Sequence, residues 1–261
     1  MKNVLKVIGV VLVSACVLFA TVLTSTVTTT YLISQFQPKD SIITCSVEPK
    51  PTYEYMKAAT VYIHGSGTGE KTGIMFMLTG QTGTEVQEWS GTGVIVKVDK
   101  DYTYVLTNNH VAGNDFKRVK IYIQEENNVR TQVEIIKNHP KYDMALLRVA
   151  KIYPDKVAVK GFNTVVPQDK VYMVGHYLGI PYIYSEGNMA GYEKDEEDGI
   201  LLQLPGCYGN SGSGVLNKDG ELVALVYAIH GVSLFGVDTA KTMAVDGKNV
   251  IAFLTEQKII E

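Results

Sequence analysis

The sequence predicts an all-β protein in which two groups of strands follow one apolar segment and precede one short helix. From about residue 56 onward, short runs rich in β-branched and aromatic residues alternate with Gly, Asn and Asp, a pattern typical of sandwiches and barrels. Strands do not alternate with helical patterns, which excludes a parallel α/β sheet. The runs break near residues 150–168, so we predict two barrels with a cleft between them.

Composition and charge narrow the class of protein further. The chain has 261 residues, enough for one large domain or two small ones. Its composition is 46% hydrophobic and 20% charged, which excludes a disordered chain. The net charge is −3 and no basic run exceeds two residues, so we expect no nucleic-acid partner.

An uncharged segment from Val7 to Val27 stands near the N-terminus. As a helix it would span about 31 Å, which matches the hydrocarbon core of a bilayer. It is longer than the apolar region of a cleaved signal peptide, and Lys2 and Lys6 precede it. We therefore predict that residues 1–30 form a single transmembrane signal-anchor, with the N-terminus in the cytoplasm and the remaining chain on the extracytoplasmic side.

The cysteines leave two alternatives open. The segment VSAC, residues 13–16, resembles a lipobox with Cys16 as the lipidated residue, although the apolar run continues for eleven residues beyond it. Cys45 and Cys207 are the other two cysteines, and an extracytoplasmic location permits a disulfide between them. Sequence alone decides neither lipidation nor pairing.

The rest of the chain divides into a linker, two barrels and a helix. Residues 31–55 contain three prolines and are predicted as a linker, followed by the main domain, residues 56–261. We place the first barrel at about 57–150, the second at about 165–246 and a helix capped by Asp246 at about 247–260. The predicted strands are 59–65, 73–78, 92–98, 102–108, 119–124, 131–137, 144–149, 170–175, 182–192, 199–204, 213–217, 221–229 and 242–245.

The stretch PGCYGNSGSGVLN, residues 205–217, surrounds Ser211 with small and turn-forming residues. Glycine allows the backbone to approach a ligand closely. The amides of Gly209 and Ser211 are therefore candidates for an oxyanion hole, which a tetrahedral intermediate needs. We interpret Ser211 as a nucleophile rather than as part of a surface loop.

A serine nucleophile needs a base and a group that orients that base. Among the five histidines, His110 follows an apolar strand directly, where its side chain can face a cleft. Asp143 directly precedes another apolar strand, whereas Asp115 lies in a segment typical of an exposed loop. The order His–Asp–Ser, with each residue in a suitable context, predicts His110, Asp143 and Ser211 as a catalytic triad.

The segments around these residues resemble those of bacterial Deg/HtrA-type serine proteases, a branch of the trypsin-like peptidases. The resemblance covers the chain from about residue 57 to 260 and includes three ordered motifs. The matching segments are GTGVIVKVDKDYTYVLTNNHVAG (91–113), YDMALLRV (142–149), GNSGSGVLNKDGELVALVYAI (209–229) and TMAVDGKNVIAFLTEQ (242–257).

The resemblance implies a chymotrypsin-like double β-barrel with the active site between the barrels. By motif match, His110 is the general base, Asp143 orients it and Ser211 is the nucleophile. The same match makes the Gly209 and Ser211 amides the oxyanion hole. No metal and no organic cofactor is expected, and the oligomeric state stays open.

Several features depart from the family pattern. Gly212-Ser213-Gly214 stands where the family usually has Gly-Gly-Pro, and no PDZ domain is expected after Glu261. Residues 67–90 are additional sequence in the first barrel, which we interpret as a long exposed hairpin, with a regulatory or oligomerising loop as the alternative. Asn210 stands where digestive-type proteases have an aspartate that pairs with a new N-terminus, so we expect no zymogen activation by that route.

The specificity pocket lacks the acid of trypsin-type enzymes, because Pro205 occupies its position, six residues before Ser211. A preference for Arg or Lys is therefore not expected. The candidate pocket residues favour a small or medium apolar side chain. They are Pro205, Tyr208, Val226, Tyr227 and Ala228.

Together these features predict a membrane-anchored serine endopeptidase that hydrolyses protein or peptide substrates through an acyl-enzyme. Two alternatives remain: a catalytically silent peptide-binding module with this fold, and a cell-surface esterase that uses the same triad. We assign no role to His176, which we place on a loop of the second barrel.

Overall fold

A computed structural model describes residues 50–70, 84–193, 199–230, 233–234, 237–238 and 241–261. The predicted signal-anchor, most of the linker, Cys16, Cys45 and the predicted strand 73–78 lie outside these residues. No helix in the described part of the chain is long and apolar enough to cross a membrane.

The first half of the domain is an antiparallel sheet of seven strands in the order β5-β4-β1-β2-β3-β7-β6. β1 and β2 form a long hairpin that stays paired as far as Glu70 and Thr84. The strands are β1 (Thr60–Glu70), β2 (Thr84–Val98), β3 (Thr103–Thr107), β4 (Lys117–Gln124), β5 (Arg130–Gln132), β6 (Glu134–Asn138) and β7 (Ala145–Val149).

The second half is a closed six-stranded barrel in the order β10-β15-β12-β11-β8-β9. A separate pair, β13 with β14, lies between β12 and β15 in the chain. The strands are β8 (Lys170–Tyr177), β9 (Ile180–Tyr192), β10 (Gly199–Gln203), β11 (Gly214–Leu216), β12 (Leu222–His230), β13 (Ser233–Leu234), β14 (Val237–Asp238) and β15 (Lys241–Asp246).

The prediction of two closed barrels holds for the second half, whereas the first half is a half-barrel. The predicted strand 131–137 is divided at Val133, which is buried and donates its N–H to the carbonyl of Ile121. β5 before it pairs with β4, and β6 after it pairs with β7. The two edges of the sheet are thus joined by chain continuity rather than by a ladder of hydrogen bonds.

A hydrophobic core joins the two halves. Val94 and Leu106 from the first sheet belong to the same buried cluster as Val174, Leu216 and Leu225 from the barrel. Burial of side chains of this size contributes about 1.5–3 kcal/mol each. This shared core holds β2 and β3 of the first sheet against β8 and β11 of the barrel.

Two helices among the described residues flank the strands. α1 (Tyr53–Ala58) begins after Thr52, whose hydroxyl accepts from the Tyr55 N–H. The first half of this helix lies in the segment that was predicted as linker. α2 (Gly247–Glu256) is the predicted C-terminal helix, and the Asp246 carboxylate caps it by accepting from the Lys248 N–H. It ends before residue 260 because Lys258 is left-handed, and Lys258 and Ile259 donate to Thr255 and Leu254, as in a Schellman motif.

Candidate active site

His110 and Asp143 form a hydrogen-bonded pair at one end of the first sheet. β3 and β7 are antiparallel neighbours, with Thr107 opposite Ala145, so the residues that follow β3 meet those that precede β7. His110 Nδ1 lies 2.5 Å from Asp143 Oδ2, and the His110 N–H donates to Asp143 Oδ1 at 3.1 Å. The carboxylate thus fixes both the backbone and the ring of His110.

Two asparagines support this pair from the same sheet. Asn108 Nδ2 donates to the carbonyl of Asp143 at 2.7 Å. Asn109 Nδ2 donates to the carbonyls of His139 and Tyr142, each at 3.1 Å. These bonds tie the turn that carries His110 to the loop that carries Asp143, so the pair is a local feature of adjacent chain segments.

Ser211 lies in a tight turn between β10 and β11. Asn210 donates its N–H to the Cys207 carbonyl, Ser213 to the Asn210 carbonyl and Gly212 to the Val226 carbonyl. Gly209 and Gly212 have φ angles of +98° and +84°, which glycine adopts at little cost. The glycines predicted from the motif therefore meet a conformational requirement of this turn.

The amides of Gly209 and Ser211 differ from their neighbours. Neither donates to a carbonyl of the described residues, although the amides of Asn210, Gly212 and Ser213 all do. The Tyr208 carbonyl accepts from the Leu178 N–H at 2.8 Å. Because the carbonyl and N–H of a trans peptide point in opposite directions, this bond directs the Gly209 N–H away from Leu178.

The two loops meet across β2. The Thr92 N–H donates to the Ser211 carbonyl at 2.8 Å. A Cβ placed on the neighbouring Gly91 would lie 2.7 Å from Val111 Cγ2 and 3.2 Å from the Ser211 oxygen. Val111 directly follows His110, so the loop of the base and the loop of Ser211 lie against the same short stretch of β2.

Two residues that pack under this loop, His176 and Thr92, were not predicted from the sequence as part of the site. His176 lies on β8 rather than on a loop, is fully buried, and is packed between the rings of Tyr62 and Tyr182. Its Nδ1 lies 3.1 Å from Thr92 Oγ1. Burial lowers the pKa of His176 to about 3, so its imidazole is neutral at neutral pH.

The candidate pocket residues have different environments. Val226 is buried in the barrel core, whereas the side chain of Tyr208 is exposed. The Tyr227 hydroxyl donates to Glu193 Oε2 at 2.9 Å, Pro205 is exposed and Ala228 is half-buried. Inward-facing positions alternate along a barrel strand, which explains why Val226 contributes its backbone rather than its side chain to the neighbourhood of Ser211.

Cysteine and metal-ligating side chains add no further group to this site in the described residues. Cys207 carries a free thiol. Over the residues that the structure describes, no group of three or more His, Cys, Asp or Glu side chains is arranged to hold a metal ion.

Comparison with known proteins gives both a family and a fold. A family model for the trypsin-like peptidase domain matches residues 91–225, more than half of the chain. Proteins named "Serine protease HtrA-like" from two strains of Staphylococcus aureus, USA300 and NCTC 8325, are each 27% identical over 159 residues. The match covers 54% of this chain but only 20% of either relative, so the chain spans about a fifth of their length.

Solved structures share the architecture. An HtrA-type protease AlgW with a decapeptide matches with a TM-score of 0.58 and 18% identity, over 78% of this chain and 67% of that one. A serine endoprotease from Yersinia pestis matches with a TM-score of 0.54 and 20% identity, over 79% and 66% of the two chains. At these identities the likeness shows the fold, which is chymotrypsin-like.

Proposed function

Because the chain belongs to the trypsin-like peptidase family, and is by class a serine-type peptidase, we propose that it is an endopeptidase with Ser211 as nucleophile. The observation that carries this proposal is the hydrogen-bonded pair of His110 and Asp143, at 2.5 Å. Across β2 from it lies the Ser211 loop, in which the amides of Gly209 and Ser211 donate to no carbonyl of the described residues. A base with its orienting acid and an anion-binding turn are the parts that acyl transfer needs.

The reaction would use these residues in order. His110 donates Nδ1–H to Asp143, which leaves Nε2 as an acceptor for the Ser211 hydroxyl proton. Ser211 Oγ attacks the substrate carbonyl, and the N–H groups of Gly209 and Ser211 bind the oxygen that becomes negative. The imidazolium of His110 then protonates the leaving amine, and water hydrolyses the acyl-enzyme by the same steps.

We extend the proposal to substrate and location. Pro205 places no charge where a trypsin-type pocket has its acid, which favours a small or medium apolar side chain before the cleaved bond. The solved AlgW relative holds a decapeptide, consistent with a peptide substrate here. The uncharged segment Val7–Val27 after Lys2 and Lys6 supports a membrane anchor with the peptidase domain outside the cytoplasm.

Digestion of a peptide library by the full-length chain tests the activity, with Ser211→Ala as the matched control. The proposal predicts internal cleavage after small or medium apolar residues by the wild type only. Turnover of esters but not peptides would favour the esterase alternative. Peptide binding by both proteins without cleavage would favour the silent module.

Location is tested separately by cell fractionation and protease shaving. The proposal predicts that the full-length chain sediments with membranes and that its domain is digested from the extracytoplasmic side. Recovery of the chain in the soluble fraction, or protection of the domain from external protease, would contradict this part without affecting the catalytic proposal.

A further inference from the structure

Thr92 connects the two halves of the domain at the predicted oxyanion hole. Its side chain is fully buried, and Oγ1 lies between two segments of the barrel. The hydroxyl donates to the Gly209 carbonyl at 2.8 Å. It accepts from the His176 backbone N–H at 3.1 Å, and His176 Nδ1 lies at the same distance.

The hydrogen-bond roles follow from a count of protons. A threonine hydroxyl has one proton and two lone pairs. The Gly209 carbonyl can only accept, so the hydroxyl proton belongs to that bond. Both His176 groups must then donate to Oγ1, which places the proton of the neutral His176 ring on Nδ1. The hydroxyl of Thr92 is thus saturated, and its orientation toward Gly209 is fixed.

The bond to Gly209 fixes the peptide that follows one of the two predicted oxyanion donors. Leu178 fixes the peptide before Gly209 through the Tyr208 carbonyl, and Thr92 fixes the peptide after it through the Gly209 carbonyl. Glycine is otherwise free to rotate about φ and ψ. With both adjacent peptides held, the Gly209 N–H has one available direction.

We propose that Thr92 is a positioning residue for the oxyanion hole, which its hydroxyl preorganises by holding the Gly209 carbonyl. The inference rests on the proposed function, because it assigns the Gly209 N–H to the transition state. Thr92 also donates its own N–H to the Ser211 carbonyl. One β2 residue therefore fixes the peptide that follows each of the two predicted amide donors, from the opposite half of the domain.

Substitution of Thr92 by Val removes the hydroxyl and keeps the shape of the side chain. Loss of one oxyanion donor typically lowers kcat by about 10²–10³-fold. We expect Thr92→Val to lower kcat by about 10²-fold with KM changed by less than about twofold, because the loss falls on the transition state. Thr92→Ser keeps the hydroxyl and should retain kcat within about fivefold of the wild type.

A matched control separates this role from general loss of stability. Thr103 is also buried on the first sheet, and its Oγ1 donates to the Lys151 carbonyl at 2.8 Å. Thr103→Val therefore removes a comparable hydroxyl away from the Ser211 loop. Fluorescence of Trp89, the single tryptophan of the chain, verifies in each variant that the first sheet is folded.

The experiment measures kcat, KM and the rate of fluorophosphonate modification of Ser211 in the full-length wild type and these three variants. The inference predicts slow turnover and slow modification for Thr92→Val alone. Equal rates for folded Thr92→Val and wild type would overturn it, as would an equal loss in Thr103→Val. If the wild type itself neither turns over nor reacts, the proposed function fails instead.

Discussion

The two sides of the candidate site are built in different ways. The His110–Asp143 pair is held within one sheet, by Asn108 and Asn109 from the neighbouring turn. The Ser211 loop depends on groups far away in the sequence, and its carbonyls at Ser211 and Gly209 are bound by Thr92 of the opposite half. The first arrangement is local and the second is made by the packing of two halves.

The residues proposed for proton transfer and the residues proposed to bind the oxyanion are therefore held by different parts of the fold. Any change that loosens the contact between the first sheet and the barrel should disturb the Ser211 loop while His110 and Asp143 stay paired. A change within the β3–β7 end of the first sheet should do the reverse. Variants on each side therefore test whether the His110–Asp143 pair and the Ser211 loop can be disturbed independently.

The largest effect is expected on the local side, from Asp143→Asn. The amide would hold the His110 ring in the wrong tautomer, so kcat should fall by about 10⁴-fold with little change in KM. Steady-state kinetics with a peptide substrate measures this. Asp115→Asn is the matched control, since Asp115 is exposed, and an equal loss in that variant would contradict the assignment of Asp143.

On the interface side, Gly212→Ala should have the next largest effect. Gly212 has a φ of +84°, and a Cβ there would overlap the Thr92 carbonyl oxygen. We expect kcat to fall by at least about 10²-fold, as for a lost oxyanion donor, because the Ser211 loop must move away from β2.

Gly179→Ala separates overlap from backbone strain in this test. Gly179 also has a positive φ, +78°, but a Cβ there meets no atom within 4 Å. This control should lose only about 1–2 kcal/mol of stability. If Gly212→Ala behaves like Gly179→Ala in both kcat and urea unfolding, the close packing of Thr92 on the loop is not important for activity.

A pH effect is expected from His176 beneath the same loop. Its folded-state pKa is lowered to about 3 by burial, whereas the unfolded chain titrates near 6.5. Between these values the unfolded state binds more protons, so stability falls as pH falls below about 6.5. From pH 7.5 to 5.5 this residue should cost about 1.4 kcal/mol of unfolding free energy.

Urea unfolding at the two pH values measures this contribution. His176→Asn keeps a donor for Thr92 but removes the titration, so its free energy of unfolding should depend less on pH than that of the wild type. His139→Asn is the comparison from the local side: burial lowers the pKa of His139 as well, so this variant should also weaken the pH dependence, but by less, because His139 is only partly buried. An unchanged pH dependence in His176→Asn would show that His176 is not the group that takes up the proton.

The smallest effect on kcat is expected from Asn109→Ala on the local side. It removes two hydrogen bonds of 3.1 Å to backbone carbonyls, each worth about 0.5–1.5 kcal/mol. Thermal unfolding should show a loss of about 1–3 kcal/mol, with kcat reduced only severalfold. Asn188→Ala removes one exposed bond to the Gln168 carbonyl and should be nearly neutral; equal losses in both would argue against Asn109 as a support of the pair.

The sequence predicted the parts of the molecule that depend on neighbouring residues. Short β-rich runs predicted most strands, Asp246 with its apolar periodicity predicted α2, and strand ends marked His110 and Asp143, which the structure brings together. α1 was missed because six residues carry too little apolar periodicity. The division at Val133 was missed because a change of pairing partner leaves no mark on strand composition.

The interface residues could not be predicted for a related reason. Thr92 and His176 are 84 positions apart, and a threonine in an apolar strand looks like an ordinary β-former. Their contact exists only once β2 packs on β8. His110 and Asp143 are 33 positions apart. They could be predicted because each lies at a strand end and because they occur in the order His–Asp–Ser.

The most direct test of the central claim is to treat the full-length wild type, Ser211→Ala and Asp143→Asn with a fluorophosphonate and to locate the adduct by mass spectrometry. The account predicts one adduct, on Ser211, in the wild type, none in Ser211→Ala and much slower formation in Asp143→Asn. Absence of an adduct on folded wild type, an adduct on another residue, or equal rates in wild type and Asp143→Asn would contradict it.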